Sequence, residues 1–215
     1  MNSIQISKVL TIYLEYFQGV SSIDLLPSTL IKPSIIVINL DKYYMPGSQW
    51  VALCFSDSGY AEYFESYGLP PYKLEIMSYL QNHSTSWTFN RHRLQGLTSN
   101  ACGHYCCLYA LHRARGLSMT LFTSMFTPAH YRCNDIRAVR VFRAVWRVPR
   151  LQPLGASVAV MQVSSINKGT CTNYRQSKMS ILVIDFTYLE GKDGELVVKE
   201  LAAVDSHSSR VSSCV

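Results

Sequence analysis

Apolar residues at Ile6, Val9, Leu10, Tyr13 and Phe17 recur at the three- and four-residue steps of one helical face, so a short amphipathic helix is predicted within residues 4–17. The period then changes. "PSIIVINL" (33–40) and "WVALCF" (50–55) are continuous apolar runs of strand length, and the intervening "DKYYMPGS" supplies Pro46 and Gly47 for a turn. "YAEYFESYG" (60–68) reads as a third strand closed by Gly68. Pro70 and Pro71 are predicted to open a helix running to about His83, since proline is tolerated in a first helical turn. "SWTFN" (86–90) is a fourth strand. A polar turn, "LQGLTSN" (94–100), then leads into the apolar "ACGHYCCLYALH" (101–112). Asn100 is the candidate cap of a helix from Cys102 to about Arg115, stopped by Gly116. Helices over 117–126 and 134–148 complete the run. This order of elements is that of an α+β domain with its helices segregated on a small sheet.

From residue 149 the periodicity is lost. Residues 149–179 mix Pro, Gly, Ser, Asn and Gln and read as a linker. Residues 180–215 read as a hairpin-like tail turning on Gly-Lys-Asp-Gly (191–194). A lone hairpin is marginally stable, so the tail either docks on the domain or is a fragment of another one. The expected organisation is a domain over 1–148, a linker over 149–179 and the extension over 180–215.

Composition narrows the class. A chain of 215 residues accommodates one domain of about 130–150 residues plus an extra segment. Its 48% hydrophobic and 16% charged residues exclude a disordered polymer. The opening "MNSIQISKVLTIYLEYF" lacks the pattern of a secretory leader, and no uncharged stretch suits a membrane span. An intracellular protein of cytoplasm or nucleus, without membrane contact, is expected. Seven cysteines, an odd count, are then expected to be free thiols. None forms a paired CxxC, so neither a metal site nor a cofactor is expected. The net charge of +6 is concentrated late. At 100° per residue Arg137, Arg140, Arg143 and Arg147 share one side of a helix, which is either a solvated face or a salt-sensitive phosphate-contacting one.

The chemistry centres on Cys102. A thiol attacks carbonyls as thiolate, and a helix start lowers its pKa because unpaired backbone N–H groups point at the sulfur. Gly103 lets a substrate backbone come close, and the Cys102 N–H and the Gln95 side-chain amide are candidate oxyanion donors. From spacing alone, the favoured reading is that Cys102, Cys106 and Cys107 are ordinary buried core residues of an apolar helix.

Three blocks in order, "GSQWVALCF", "AEYFESYGLPP" and "LQGLTSNACGHYCC", resemble the adenovirus-type (adenain-like) cysteine proteases. They are especially similar to those encoded by large virus-like DNA transposons and, more distantly, to proteases that cut ubiquitin-like modifiers such as SUMO. The resemblance runs from about residue 10 to about 148. It implies a papain-like α+β fold of the adenain and ubiquitin-like protease type, with a small mixed sheet. It further implies that Cys102 is the nucleophile, Gln95 an oxyanion donor, Glu65 the orienting acid and Trp50 a wall of a groove for small, Gly-containing segments. The family places a histidine directly before that tryptophan, and here the position is Gln49. Glutamine accepts no proton and forms no cation to stabilise a thiolate. Of the six histidines (His83, His92, His104, His112, His130 and His207), His92, in the loop before Gln95, is the candidate substitute.

Three functions follow as expectations. One is a cysteine endopeptidase-like protein of viral or transposon type, impaired in proton transfer. The second is a non-catalytic protease-fold module that binds extended or modifier-like peptides. The third is a nucleic-acid binder acting through the arginine stripe. The implied partners are a protein or peptide substrate and, for the stripe, DNA.

Overall fold

The computed structural model of the chain describes residues 1–147 and four further strand segments at 157–160, 183–190, 196–204 and 211–214, with side chains described through residue 143. The chain divides into units of residues 1–142 and 143–215. Along residues 1–147 the elements run α1 (Ser3–Tyr13), β1 (Phe17–Ser22), a 3-10 turn (Ile23–Leu25), β2 (Ser34–Asn39), β3 (Trp50–Phe55), β4 (Tyr60–Glu65), α2 (Leu74–His83), β5 (Ser86–Phe89), α3 (Cys102–Arg113), α4 (Met119–Ser124) and α5 (Tyr131–Arg147). Five strands form one mixed sheet in the order β1-β2-β3-β4-β5. The outer pairs β1–β2 and β4–β5 are parallel, and β2–β3 and β3–β4 are antiparallel. The α+β class expected from the pattern is the one observed.

Both faces of the sheet are covered, which is why β2 and β3 are apolar at consecutive positions. One face, with Ile36, Ile38, Val51, Leu53, Phe55, Ala61 and Tyr63, packs on Ile76, Tyr79 and Leu80 of α2. Each large apolar side chain buried there contributes about 1.5–3 kcal/mol. The other face receives α3. Phe64 of β4 stacks on Tyr109 at 4.3 Å between ring centroids. The Tyr109 hydroxyl donates to the buried Glu62 carboxylate at 2.5 Å, and Arg113 forms an ion pair with the same group. The Cys106 thiol donates to the Trp50 carbonyl at 3.2 Å, tying α3 directly to β3.

Several boundaries differ from the sequence expectation for identifiable reasons. Phe17 leaves the α1 pattern and starts β1, an edge strand with a register shift between Phe17 and Gly19, where φ is +120°. The helix after the double proline begins at Leu74 rather than in the first turn after Pro71. Asn100 is not the cap of α3. Ala101 holds that place without a side-chain bond, and the Ala101 N–H donates instead to Ser99 Oγ at 3.2 Å. The last helix begins at Tyr131, three residues before the predicted start. Four cysteines, Cys54, Cys102, Cys106 and Cys107, are free thiols as expected, but Cys133 is disulfide-bonded. An odd count leaves room for a pair and cannot name it.

In the second unit, strands β6 (Ser157–Val160), β7 (Val183–Glu190), β8 (Leu196–Val204) and β9 (Val211–Cys214) form their own antiparallel sheet in that order. The β7–β8 pairing runs from Val183↔Val204 to Glu190↔Leu196. β6 lies within the stretch read as linker, while the Gly-Lys-Asp-Gly turn lies outside the described residues.

Candidate active site around Cys102

Three segments converge at one end of the five-stranded sheet. Val51 pairs with Glu65, so the residues just before β3 lie beside those at the end of β4. Cys102 opens α3, and it lines an open groove of about 790 Å³ together with Gln49, Trp50, Tyr67, Ser99 and Asn100. The sequence-predicted residues Gln49, Trp50 and Cys102 therefore share one cleft.

Gln49 and Glu65 are in direct contact. The Gln49 amide donates from Nε2 to Glu65 Oε1 at 2.6 Å and reaches Ser66 Oγ at 3.2 Å. The other carboxylate oxygen of Glu65 accepts the Tyr67 N–H at 2.9 Å and the Leu69 N–H at 3.2 Å. Burial nevertheless dominates and holds the Glu65 carboxyl above its ordinary pKa, with those N–H groups and the Gln49 amide pulling it down. The Glu65 backbone is fixed as well. Its N–H donates to Asn90 Oδ1 at 2.8 Å, and its carbonyl accepts from Asn90 Nδ2 at 2.7 Å, so a buried side-chain amide continues the β4–β5 pairing by one step. Gly68, at φ +73°, makes the turn that follows, and a Cβ there would stand 2.7 Å from the His92 carbonyl carbon.

Burial also pushes the Cys102 thiol above its usual pKa. The backbone N–H groups of Trp50 and Gly103 act on the sulfur in the opposite direction, and the Glu65 charge raises the pKa further. The thiol is therefore mostly neutral near pH 7, although two N–H groups already favour a thiolate. Trp50 is buried, and its indole N–H donates to the Met1 carbonyl at 3.2 Å. A Cβ on Gly103 would meet Met1 Sδ at 3.1 Å and Trp50 Cδ1 at 3.3 Å. Gly103 is thus a close-approach position, and the group approaching it is residue 1.

Gln95 is fully buried, with its Oε1 accepting from Ser66 Oγ at 2.6 Å and its Nε2 donating to the Ser99 carbonyl at 2.6 Å and to the Tyr67 hydroxyl at 3.3 Å. Its loop is clamped from α5. The Asp135 carboxylate accepts the Gly96 N–H at 3.1 Å and the Tyr105 hydroxyl at 3.1 Å, while Asn134 Nδ2 donates to the Leu94 carbonyl at 3.2 Å. Ser66, Tyr67, Asn90, Asn134 and Asp135 were not singled out from sequence. Their bonds span 25 to 40 positions, and only the "Ser-Tyr-Gly" directly after Glu65 offered a local signal.

Among the described residues no histidine lines the groove. The His104 ring packs edge-on to Phe142 at 5.1 Å. His112 is buried against Phe122, with Nε2 at 3.0 Å from the Ser118 carbonyl, and His83 packs on Tyr79. His92, the candidate substitute, is exposed and contributes its carbonyl to Asn90. His207 lies outside the described residues. Within the arginine stripe, Arg137 donates to the Met125 carbonyl at 2.5 Å and so serves packing between helices. Arg140 and Arg143 are exposed, and the Arg147 side chain lies outside the described residues. Among the described residues no His/Cys/Asp/Glu group could hold a metal ion, and no helix is long and apolar enough to cross a membrane.

No protein-family model and no curated protein matches the chain. Parts of the fold are similar to solved structures. Two structures of the ASFV pS273R protease align with 24% identity over 48% of this chain (TM-score 0.36) and with 19% identity over 64% (TM-score 0.42). The alignments cover 43% and 65% of those proteins, so the chain spans less than two thirds of either. The SUMO protease Ulp1 aligns with 14% identity over 52% of this chain and 53% of its own, at a TM-score of 0.30. The central domain of the Legionella pneumophila protein Lpg1148 aligns with 15% identity over 68% of this chain and 97% of its own, at a TM-score of 0.43.

Proposed function

We propose that residues 1–142 are a cysteine-peptidase-like module whose groove binds an extended peptide and whose hydrolytic step is impaired at proton transfer. The observation that carries this reading is the Gln49–Glu65 contact at 2.6 Å beside the groove in which Cys102 opens α3. An amide there orients on the acid as an imidazole would, yet it can neither remove the thiol proton nor return one to a leaving amine. The ordered motif blocks add support from sequence. The substrate class is a protein or peptide with small residues, Gly-containing sites or a ubiquitin-like modifier tail, on the motif resemblance that makes Trp50 a groove wall. Viral or transposon ancestry fits the same motif order. The second unit is assigned no chemistry.

The test is binding separated from turnover. Blocked peptides ending in Gly-Gly should bind with measurable affinity by calorimetry while the matching amide-linked reporter shows almost no hydrolysis. Rapid hydrolysis by the unaltered chain would remove the impairment, and absence of binding for every extended peptide tried would remove the groove.

A further inference from the structure

The buried Gln95 amide has no hydrogen left for a ligand. An amide nitrogen carries two donors, and here they point at the Ser99 carbonyl (2.6 Å) and the Tyr67 hydroxyl (3.3 Å). Gln95 thus reaches the groove only through another group. That group is Tyr67, which lines the groove with Cys102. A phenol that accepts from Gln95 keeps its own O–H for donation, and among the described residues that O–H donates to none.

The bonds behind Tyr67 all run one way. Gln49 Nε2 donates to Ser66 Oγ (3.2 Å), Ser66 Oγ donates to Gln95 Oε1 (2.6 Å), and Gln95 Nε2 donates to the Tyr67 oxygen. Ser66 and Gln95 are fully buried, so water does not compete with this sequence. Each acceptor in such a chain becomes a stronger donor at its far end, and the last hydrogen is the phenolic one of Tyr67, a residue that lines the groove.

We infer that the Tyr67 hydroxyl, rather than the Gln95 amide, is the side-chain donor to the carbonyl oxygen of an acyl group placed on the Cys102 sulfur. The inference rests on the peptidase-like reading of the groove and adds a residue to it. Burial, followed by the charges of Cys102 and Glu65, holds the phenol above its ordinary pKa, which keeps the proton in place for donation. The ligand class is an acyl carbonyl whose oxygen gains charge when its carbon bonds to sulfur. Tyr67 would then act where Gln95 was expected to act.

A peptide aldehyde reproduces that chemistry reversibly. The Cys102 sulfur bonds to the aldehyde carbon, the carbonyl π pair moves to oxygen, and the thiol proton ends on that oxygen as a neutral hemithioacetal. The probe is a blocked tetrapeptide ending in glycinal, compared with the corresponding alcohol, which cannot bond to sulfur. Tyr67→Phe keeps the ring and removes the donor. It should weaken the aldehyde by about 10- to 100-fold, in keeping with loss of one oxyanion donor, and change the alcohol by less than about twofold. With a ¹³C-labelled aldehyde, the hemithioacetal carbon should titrate at higher pH in Tyr67→Phe, a change that loss of packing alone does not produce. Unchanged aldehyde affinity in folded Tyr67→Phe, or equal losses for aldehyde and alcohol, overturns the inference while leaving the groove reading in place. An aldehyde that forms no hemithioacetal with the unaltered chain overturns both.

Discussion

Replacing Gln49 by histidine restores a titratable group where the structure already holds its orienting acid. An imidazole N–H on Glu65 takes over the 2.6 Å bond of the Gln49 amide, leaving the second ring nitrogen available to the groove. Cys102 begins with a pKa raised above 9.0, so under about 1% of it is thiolate at pH 7. An imidazolium about 4 Å from the sulfur contributes roughly 4 kcal/mol at an effective dielectric constant near 20. That energy corresponds to an approximately thousandfold gain in thiol acidity. A more acidic thiol is a poorer nucleophile, and a Brønsted slope of about 0.4–0.5 returns roughly 20- to 30-fold of the gain. Alkylation by iodoacetamide at pH 7 should therefore rise by no more than about 30- to 50-fold, while the midpoint of its pH profile falls by about three pH units. Peptide hydrolysis also acquires a general acid for the leaving amine, so it should rise by at least about 10²- to 10⁴-fold. The assay is the pH dependence of alkylation followed by mass spectrometry, beside cleavage of a Gly-Gly reporter. A folded Gln49→His variant with an unmoved alkylation midpoint would show that position 49 does not face the sulfur, and the reasoning fails.

Three other outcomes are expected. Asn90→Ala removes both bonds to the Glu65 backbone and leaves a buried N–H and C=O unpaired, so it should cost about 2–5 kcal/mol in urea unfolding; a loss below about 0.5 kcal/mol contradicts the clamp. His112 is held below its ordinary pKa of 6.5 by burial and by Arg113 and Arg115, so the unfolded chain takes up its proton first. Its contribution is present above pH 6.5 and declines as pH falls toward the lower folded-state value, at up to about 1.4 kcal/mol per pH unit, and His112→Gln should flatten that slope in denaturation series. Among the free cysteines described, Cys102 alone lines the groove, so brief native alkylation and peptide mapping should find it modified before Cys54, Cys106 and Cys107; equal labelling of Cys106 contradicts the assignment.

Elements whose pattern is set by two-sided burial were legible in the chain: β2, β3 and α3 lie within one or two residues of their apolar runs. β1 was not, because an edge strand with half-buried positions and a glycine carries little alternation, and Phe17 extends the helical period of α1. The cap of α3 misled for a related reason, since Ser99 rather than Asn100 found the backbone donor there. Within the site, the positions of Gln49, Glu65, Gln95 and Cys102 were readable as motif places. The partners of Gln95 were not, because a side-chain hydrogen bond between Ser66 and Gln95 exists only after β4 and the loop before α3 are folded side by side. The arginine stripe had the converse fault: periodicity located Arg137 but could not show that its guanidinium reaches the Met125 carbonyl.

The bond from the Trp50 indole to the Met1 carbonyl holds residue 1 at the groove that Cys102 lines, so anything attached ahead of residue 1 starts beside that groove. A purification handle or reporter joined at that point by a short flexible tether would be presented to the cleft at an effective concentration on the order of millimolar. Free ligands would then compete with a tethered rival, and affinities measured on such a fusion would come out too weak. Titrations on material from which the handle has been cleaved avoid that internal competition.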